Sequence, residues 1–154
     1  MATIYWIGDT EGRADAEAFS ARIVDETDGG CPIHAFVSQG RMARLYDRMT
    51  QGDFLFIQFA APDAGRDEAG MAAFQDYLER FVNAARNKGA MPVLIAPVQG
   101  EPAGAKAVQS AAQRLDAAYL DLPRATDDAR GRIVQGLRAL GGAYRQLLRE
   151  EPQQ

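Results

Sequence analysis

Apolar residues recur along the chain with two different periods, and the two take turns. Thr3-Ile-Tyr-Trp-Ile7 is apolar on both faces, the pattern of a central strand in a sheet covered by helices on each side, and it stops at Gly8-Asp9-Thr10. Between Ala14 and Glu26, Ala14, Ala18, Phe19 and Ile23 lie at helical spacing with Asp28-Gly29-Gly30 as a stop, which predicts a first covering helix. Cys31 to Val37 predicts a second short strand, ending in Ser38-Gln-Gly-Arg41 before a short amphipathic turn through Leu45 and Met49. After a turn at Gln51-Gly52-Asp53, Phe54-Leu-Phe-Ile-Gln-Phe59 reads as a third strand, ended by Ala60-Ala-Pro-Asp63.

A loop through Gly65 and Gly70 leads to a helix over 71–87. It places Met71, Phe74, Leu78, Phe81, Val82 and Ala85 on one stripe, and Lys88-Gly89 supplies a basic last turn and a terminating glycine. Met91 to Ala96 is a fourth strand, Gly100-Glu-Pro102 opens a helix through Leu115, and Ala118-Tyr-Leu-Asp121 is a fifth short strand. Thr126 or Asp127 caps a helix to about Leu140, which Gly141-Gly142 breaks before Tyr144 to Arg149. Such alternation predicts an α/β fold with a mostly parallel five-stranded sheet and helices on both faces. Residues 1–150 read as one domain and 151–154 as a disordered tail, with no internal repeat or low-complexity linker.

Composition narrows the partners. The 154 residues are 47% apolar and 25% charged, an ordinary globular balance, and no apolar run approaches the roughly 20 residues that span a bilayer. A net charge of −4 offers no broad basic surface for phosphate backbones. Arg124, Arg130, Arg132, Arg138, Arg145 and Arg149 recur late in the chain, but Asp127, Asp128 and Glu150 interleave with them, so they read as solvated helix faces. Neither nucleic acid nor membrane is expected as a partner. The single cysteine, Cys31, allows no intrachain disulfide and no cysteine cluster for a metal, and the start lacks a basic and apolar leader pattern, so a cytoplasmic location is the expectation.

The opening run, with Gly8-Asp9-Thr10 behind it, resembles the first block of the SGNH, or GDSL, hydrolase superfamily, whose first strand ends in Gly-Asp-Ser with the serine as nucleophile. Within it, the chain is most similar to the rhamnogalacturonan acetylesterase-like branch. His34-Ala-Phe-Val-Ser-Gln-Gly-Arg41 resembles that branch's second block, in which a glycine gives an oxyanion-hole amide, and Gly40 matches it. Gly52 to Phe59, Tyr77 to Val98 and Tyr119 to Leu122 also resemble the family in order and spacing. The resemblance implies a three-layer α/β/α sandwich, flavodoxin-like, over most of residues 2 to 122.

What it implies for catalysis runs the other way. The family mechanism needs a serine activated by histidine, an acid to orient that histidine, and donors aimed at the developing oxyanion. Here the nucleophile position is Thr10, whose extra methyl stiffens χ1 and crowds the acyl carbon. Where the family continues Gly-His-Asn-Asp, this chain has Ala60-Ala61-Pro62-Asp63, so Pro62 replaces the asparagine donor. No histidine follows Asp121, the family's late Asp-x-x-His block is read as deleted, and His34, the one histidine, reads as a satisfied strand residue.

Asp9, Thr10, Gly40 and Asp63 are therefore candidates for a degenerate site. Asp9 and Asp63 fit acid–base work or a cation in principle, but loop-capping carboxylates retained for the fold are the favoured reading. Ser38 and Ser110 lack any nucleophile-elbow context. No cofactor and no metal are expected. The leading expectation is a pseudoenzyme that keeps the scaffold and a pocket for a small polar or carbohydrate ligand. The alternative is a weak carbohydrate acetylesterase using Thr10, and a third is a homo-oligomer formed through an apolar sheet face left uncovered.

Overall fold

A computed structural model describes residues 2–9, 18–28, 31–59, 68–96, 102–120 and 129–149. Five strands, β1 (Thr3–Gly8), β2 (Arg22–Thr27), β3 (Phe54–Gln58), β4 (Met91–Ile95) and β5 (Ala118–Leu120), form one sheet in the order β2-β1-β3-β4-β5. Every neighbouring pair is parallel. The helices are α1 (Ile33–Ser38), α2 (Arg41–Arg48), α3 (Glu68–Asn87), α4 (Pro102–Leu115), α5 (Ala129–Leu140) and α6 (Gly142–Gln146).

The sheet separates two cores. Tyr5, Ile7, Leu55, Ile57 and Leu94 point to one face, where they pack with Ile33 and Phe36 of α1, Leu45 of α2, Phe74, Leu78 and Phe81 of α3, and Val108 of α4. Ile4, Trp6, Phe54, Phe56, Val93, Ile95 and Leu120 point to the other, against Phe19, Ile133 and Leu137 of α5, and Leu147 and Leu148. Successive side chains on a strand point to opposite faces, so a run such as Phe54 to Gln58 is buried throughout only if both faces are covered, and it is. The expected three-layer α/β/α arrangement follows. Over the described residues the second face is covered from within the chain, by α5, α6 and the segment after them.

Two expected elements are corrected. The helix predicted over Ala14 to Glu26 contains instead the edge strand β2, paired to β1 from Thr3↔Arg22 to Gly8↔Thr27. At the sheet's edge neither of its faces is sealed, so its exposure shows no alternation of period two, and Ile23 was free to fit a helical stripe. The strand predicted over Cys31 to Val37 is α1 and the turn that enters it. Pro32 opens it with φ −66°, and Ile33 and Phe36, three apart, are buried on one side while His34 is exposed. A seven-residue apolar run is too short for periodicity to separate the two structures.

Of the remaining elements, β1, β3, β4, β5, α3 and α4 lie where they are predicted; the amphipathic turn through Leu45 and Met49 is the helix α2, and the cap expected at Thr126 or Asp127 lies outside the described residues. On α3 the stripe of Phe74, Leu78, Phe81, Val82 and Ala85 is buried and Met71 packs against it, while Gly89 ends the helix region with φ 76°. Beyond α6, Phe19 and Leu148 form an antiparallel bridge. Ser20 N donates to Leu147 O at 2.8 Å and Arg149 N to Ala18 O at 2.9 Å, which ties residues 147–149 to the segment entering β2.

Candidate functional site

In an open parallel sheet, ligands bind beyond the carboxyl ends of the strands where the strand order reverses. Here the reversal lies between β1 and β3, because the chain leaves β1 for β2 on one side and later returns to lay β3 on the other. Gly8 and Gln58 are the paired last residues of those strands. A Cβ on Gly8 would lie 2.1 Å from the Gln58 carbonyl oxygen, so only glycine allows the strands to meet here. The Gly8 carbonyl in turn accepts the Asp28 N–H at 3.0 Å.

Beneath this seam the Trp6 indole N–H donates to Gln58 Oε1 at 3.1 Å, with both residues 3% exposed. The indole stands edge-on to Phe56, with centroids 5.1 Å apart and planes at 69°. Gln58 was not singled out as a sequence candidate, although a polar residue inside the apolar run Phe54 to Phe59 is a readable signal. A buried amide is retained where it has a partner.

Asp9 follows directly, half-buried at the carboxyl edge. Thr10, Pro62 and Asp63 lie outside the described residues. Gly40 is the corner between α1 and α2, with φ 75°. Its N–H donates to the Val37 carbonyl at 3.0 Å and its carbonyl accepts from Arg44 N at 3.1 Å, so both its backbone groups serve the corner itself.

Its neighbour Arg41 holds this corner to the end of β2. The guanidinium donates to Asp28 Oδ2 at 3.2 Å and to the Glu26 carbonyl at 3.1 Å, and lies 5.0 Å from the centre of the Phe36 ring. Burial pulls the Arg41 pKa down, and hydrogen bonding and charge from Cys31 and Asp28 outweigh it, leaving the group above its ordinary value. Arg41 is not legible as a site residue in the sequence, because its role depends on a carboxylate thirteen positions away.

The remaining sequence candidates are dispersed. His34 is on the exposed side of α1, Ser38 is exposed with its hydroxyl donating to Ala35 O at 3.3 Å, and Ser110 is exposed on α4. Cys31 is a buried free thiol. Among the described residues no group of three or more His, Cys, Asp or Glu side chains is placed to hold a metal ion, and no helix is long and apolar enough to cross a membrane. The arrangement therefore places the half-buried Asp9 at the strand edge and a glycine corner closed by its own backbone hydrogen bonds.

Comparison with known proteins agrees with the resemblance read from the motifs. The rhamnogalacturonan acetylesterase RhgT of Bacillus subtilis (strain 168) is 35% identical over 91 residues, 57% of this chain and 39% of that protein. The probable rhamnogalacturonan acetylesterase YesY of the same organism is 30% identical over 82 residues, 50% of this chain and 38% of that protein. The chain thus spans about two fifths of the length of the curated relatives it matches. The crystal structure of the Bacillus subtilis protein YxiM superposes with a TM-score of 0.63 at 13% identity, over 89% of this chain and 45% of that one, a likeness of fold alone. No protein-family model matches the chain. The chain is SGNH-hydrolase-like in sequence, similar to rhamnogalacturonan acetylesterases, and α/β in fold.

Proposed function

We propose that these residues form an SGNH-hydrolase-like domain that has lost the esterase chemistry of its relatives and retains the carboxyl edge of the sheet as a seat for a small polar or carbohydrate ligand. The observation that carries this reading is the position of the chain's one histidine. Acyl transfer by a hydroxyl nucleophile needs an imidazole in hydrogen-bond reach, and His34 sits exposed on α1, outside the Asp-x-x-His setting in which the resembled family carries its base. Three further features support it. Threonine stands at the nucleophile position as Thr10, proline at the oxyanion-donor position as Pro62, and the Gly40 amide is engaged by Val37. Loss of one oxyanion donor alone costs about 10²–10³ in turnover.

The ligand class follows from the acetylesterase relatives, whose names point to rhamnogalacturonan; a fragment of such a polysaccharide is the first ligand to try. The test is hydrolysis of aryl acetates and acetylated sugars by the purified chain, with calorimetric titration of rhamnogalacturonan fragments beside it. Expected are release rates equal to buffer and a measurable binding heat. Turnover well above buffer that vanishes in Thr10→Ala would overturn the reading.

The second reading, a weak carbohydrate acetylesterase using Thr10, is favoured by the 35% identity to a named acetylesterase. It requires that a fluorophosphonate probe label Thr10, and an unlabelled chain removes it.

A further inference from the structure

The joint between α5 and α6 is made of two glycines in conformations that other residues avoid. Gly141 has φ 68° and ψ −165°, and Gly142 has φ 54°. A Cβ added at either would meet nothing within 4 Å, so the glycines serve the backbone conformation and not a close approach. The joint folds residues 142–149 back onto the second face of the sheet. There Leu147 and Leu148 are buried, Tyr144 meets Phe54 edge-on with centroids 6.0 Å apart, and the backbone pairs with residues 18–20. Ser20 Oγ also donates to Gln146 O at 2.9 Å and Arg149 Nε to Phe19 O at 3.0 Å.

We propose that residues 142–149 are an exchangeable strap whose second seat is the same groove of another copy of this chain. If Gly141 and Gly142 adopt helical angles, α5 and α6 fuse, and at 1.5 Å per residue the eight residues of the strap continue α5 by roughly 12 Å instead of returning to their own seat. The vacated seat has an apolar floor and backbone groups of residues 18–20 at its rim. The segment that satisfies both is the one that left, so a second copy's strap fits without new contacts, which is the low-cost route to a dimer. In the wild-type chain the strap's own seat competes at an effective concentration of the order of millimolar, which keeps the closed monomer dominant.

Alanine at the joint separates the two forms, because it is strained in the closed joint and favoured in the fused helix. Gly141→Ala/Gly142→Ala is expected to raise the dimer fraction at fixed concentration by about tenfold or more, measured by light scattering. A folded variant that stays as monomeric as wild type overturns the proposal. The chemistry of the seat is read separately with Ala18→Cys/Arg149→Cys in a Cys31→Ala background, since these two positions face each other across the strap pairing. After incubation of the otherwise unaltered chain at millimolar concentration and oxidation, dimers joined between chains support exchange, and bonds formed only within one chain overturn it. This second experiment decides the matter even if the alanine variant fails to fold.

Discussion

Strand β3 has a buried polar side chain at each end, Asp53 immediately before it and Gln58 as its last residue, and the two are used differently. At the amino end, Asp53 accepts three hydrogen bonds, from Thr3 N at 3.2 Å, Thr50 N at 2.9 Å and Thr50 Oγ1 at 3.1 Å, and so closes the turn and the start of β1 around one carboxylate. At the carboxyl end, Gln58 accepts from a single indole across the seam. Both are nearly sealed from solvent, at 7% and 3% exposed. The amino end is a closed clasp that holds two strands in register. The carboxyl end is a packed floor under the edge at which Asp9 emerges. A polar group at the site end of a parallel sheet can therefore belong to the framework as fully as one at the opposite end.

The largest effect that sharpens this contrast is expected from Gly8→Ala. The added methyl meets a neighbouring backbone carbonyl, which cannot swing aside, so a loss of about 4 kcal/mol in urea unfolding is expected; a loss under 1 would mean the seam is loose. Next is Asp53→Ala, which strands three donors and should cost about 2–3 kcal/mol. If it costs no more than a surface substitution, the amino end is not the clasp described.

Trp6→Phe should cost about 1–3 kcal/mol by leaving the Gln58 oxygen unpaired in the core. Adding Gln58→Leu should recover part of that loss, and a strictly additive pair would show that indole volume, not the hydrogen bond, matters.

The smallest effect concerns Tyr144, where burial raises the phenol pKa above its ordinary value and the Arg86 charge opposes this more weakly. The unfolded chain then releases the proton first as the pH rises. The stabilising contribution is full below the unfolded pKa of about 10 and is lost as pH climbs through the folded value. Thermal melts should show a small alkaline decline that Tyr144→Phe removes.

Much of this architecture was legible before any coordinates. β1 reads as a run apolar on both faces, and β3 and β4 as strands, because both faces of the sheet are covered, and α3 reads as a stripe because only one side is. β2 and α1 were misread for one shared reason: each is short and incompletely buried, so burial, which writes the periodic pattern, writes it faintly there. Asp9 lies at the carboxyl edge of β1, where the run ending at Gly8 put it, whereas Gly40, expected in a loop after a strand, joins two helices. The partners that decide what Gly40 and Arg41 do, Val37 and Asp28, could not be read from spacing, since hydrogen bonding at a corner depends on how two helices meet. Asp53 was legible as a turn residue only; its reach to Thr3, fifty positions away, is a fact of pairing β1 with β3.

The close approach at Gly8 changes what its motif can certify. Because the adjoining strand leaves no room for a side chain, that glycine is demanded by the shape of the sheet whether or not an ester is ever cleaved above it. In any chain built this way, a Gly-Asp pair at the end of the first strand testifies to architecture. Testimony about reactivity begins one residue later, where a hydroxyl must find a base.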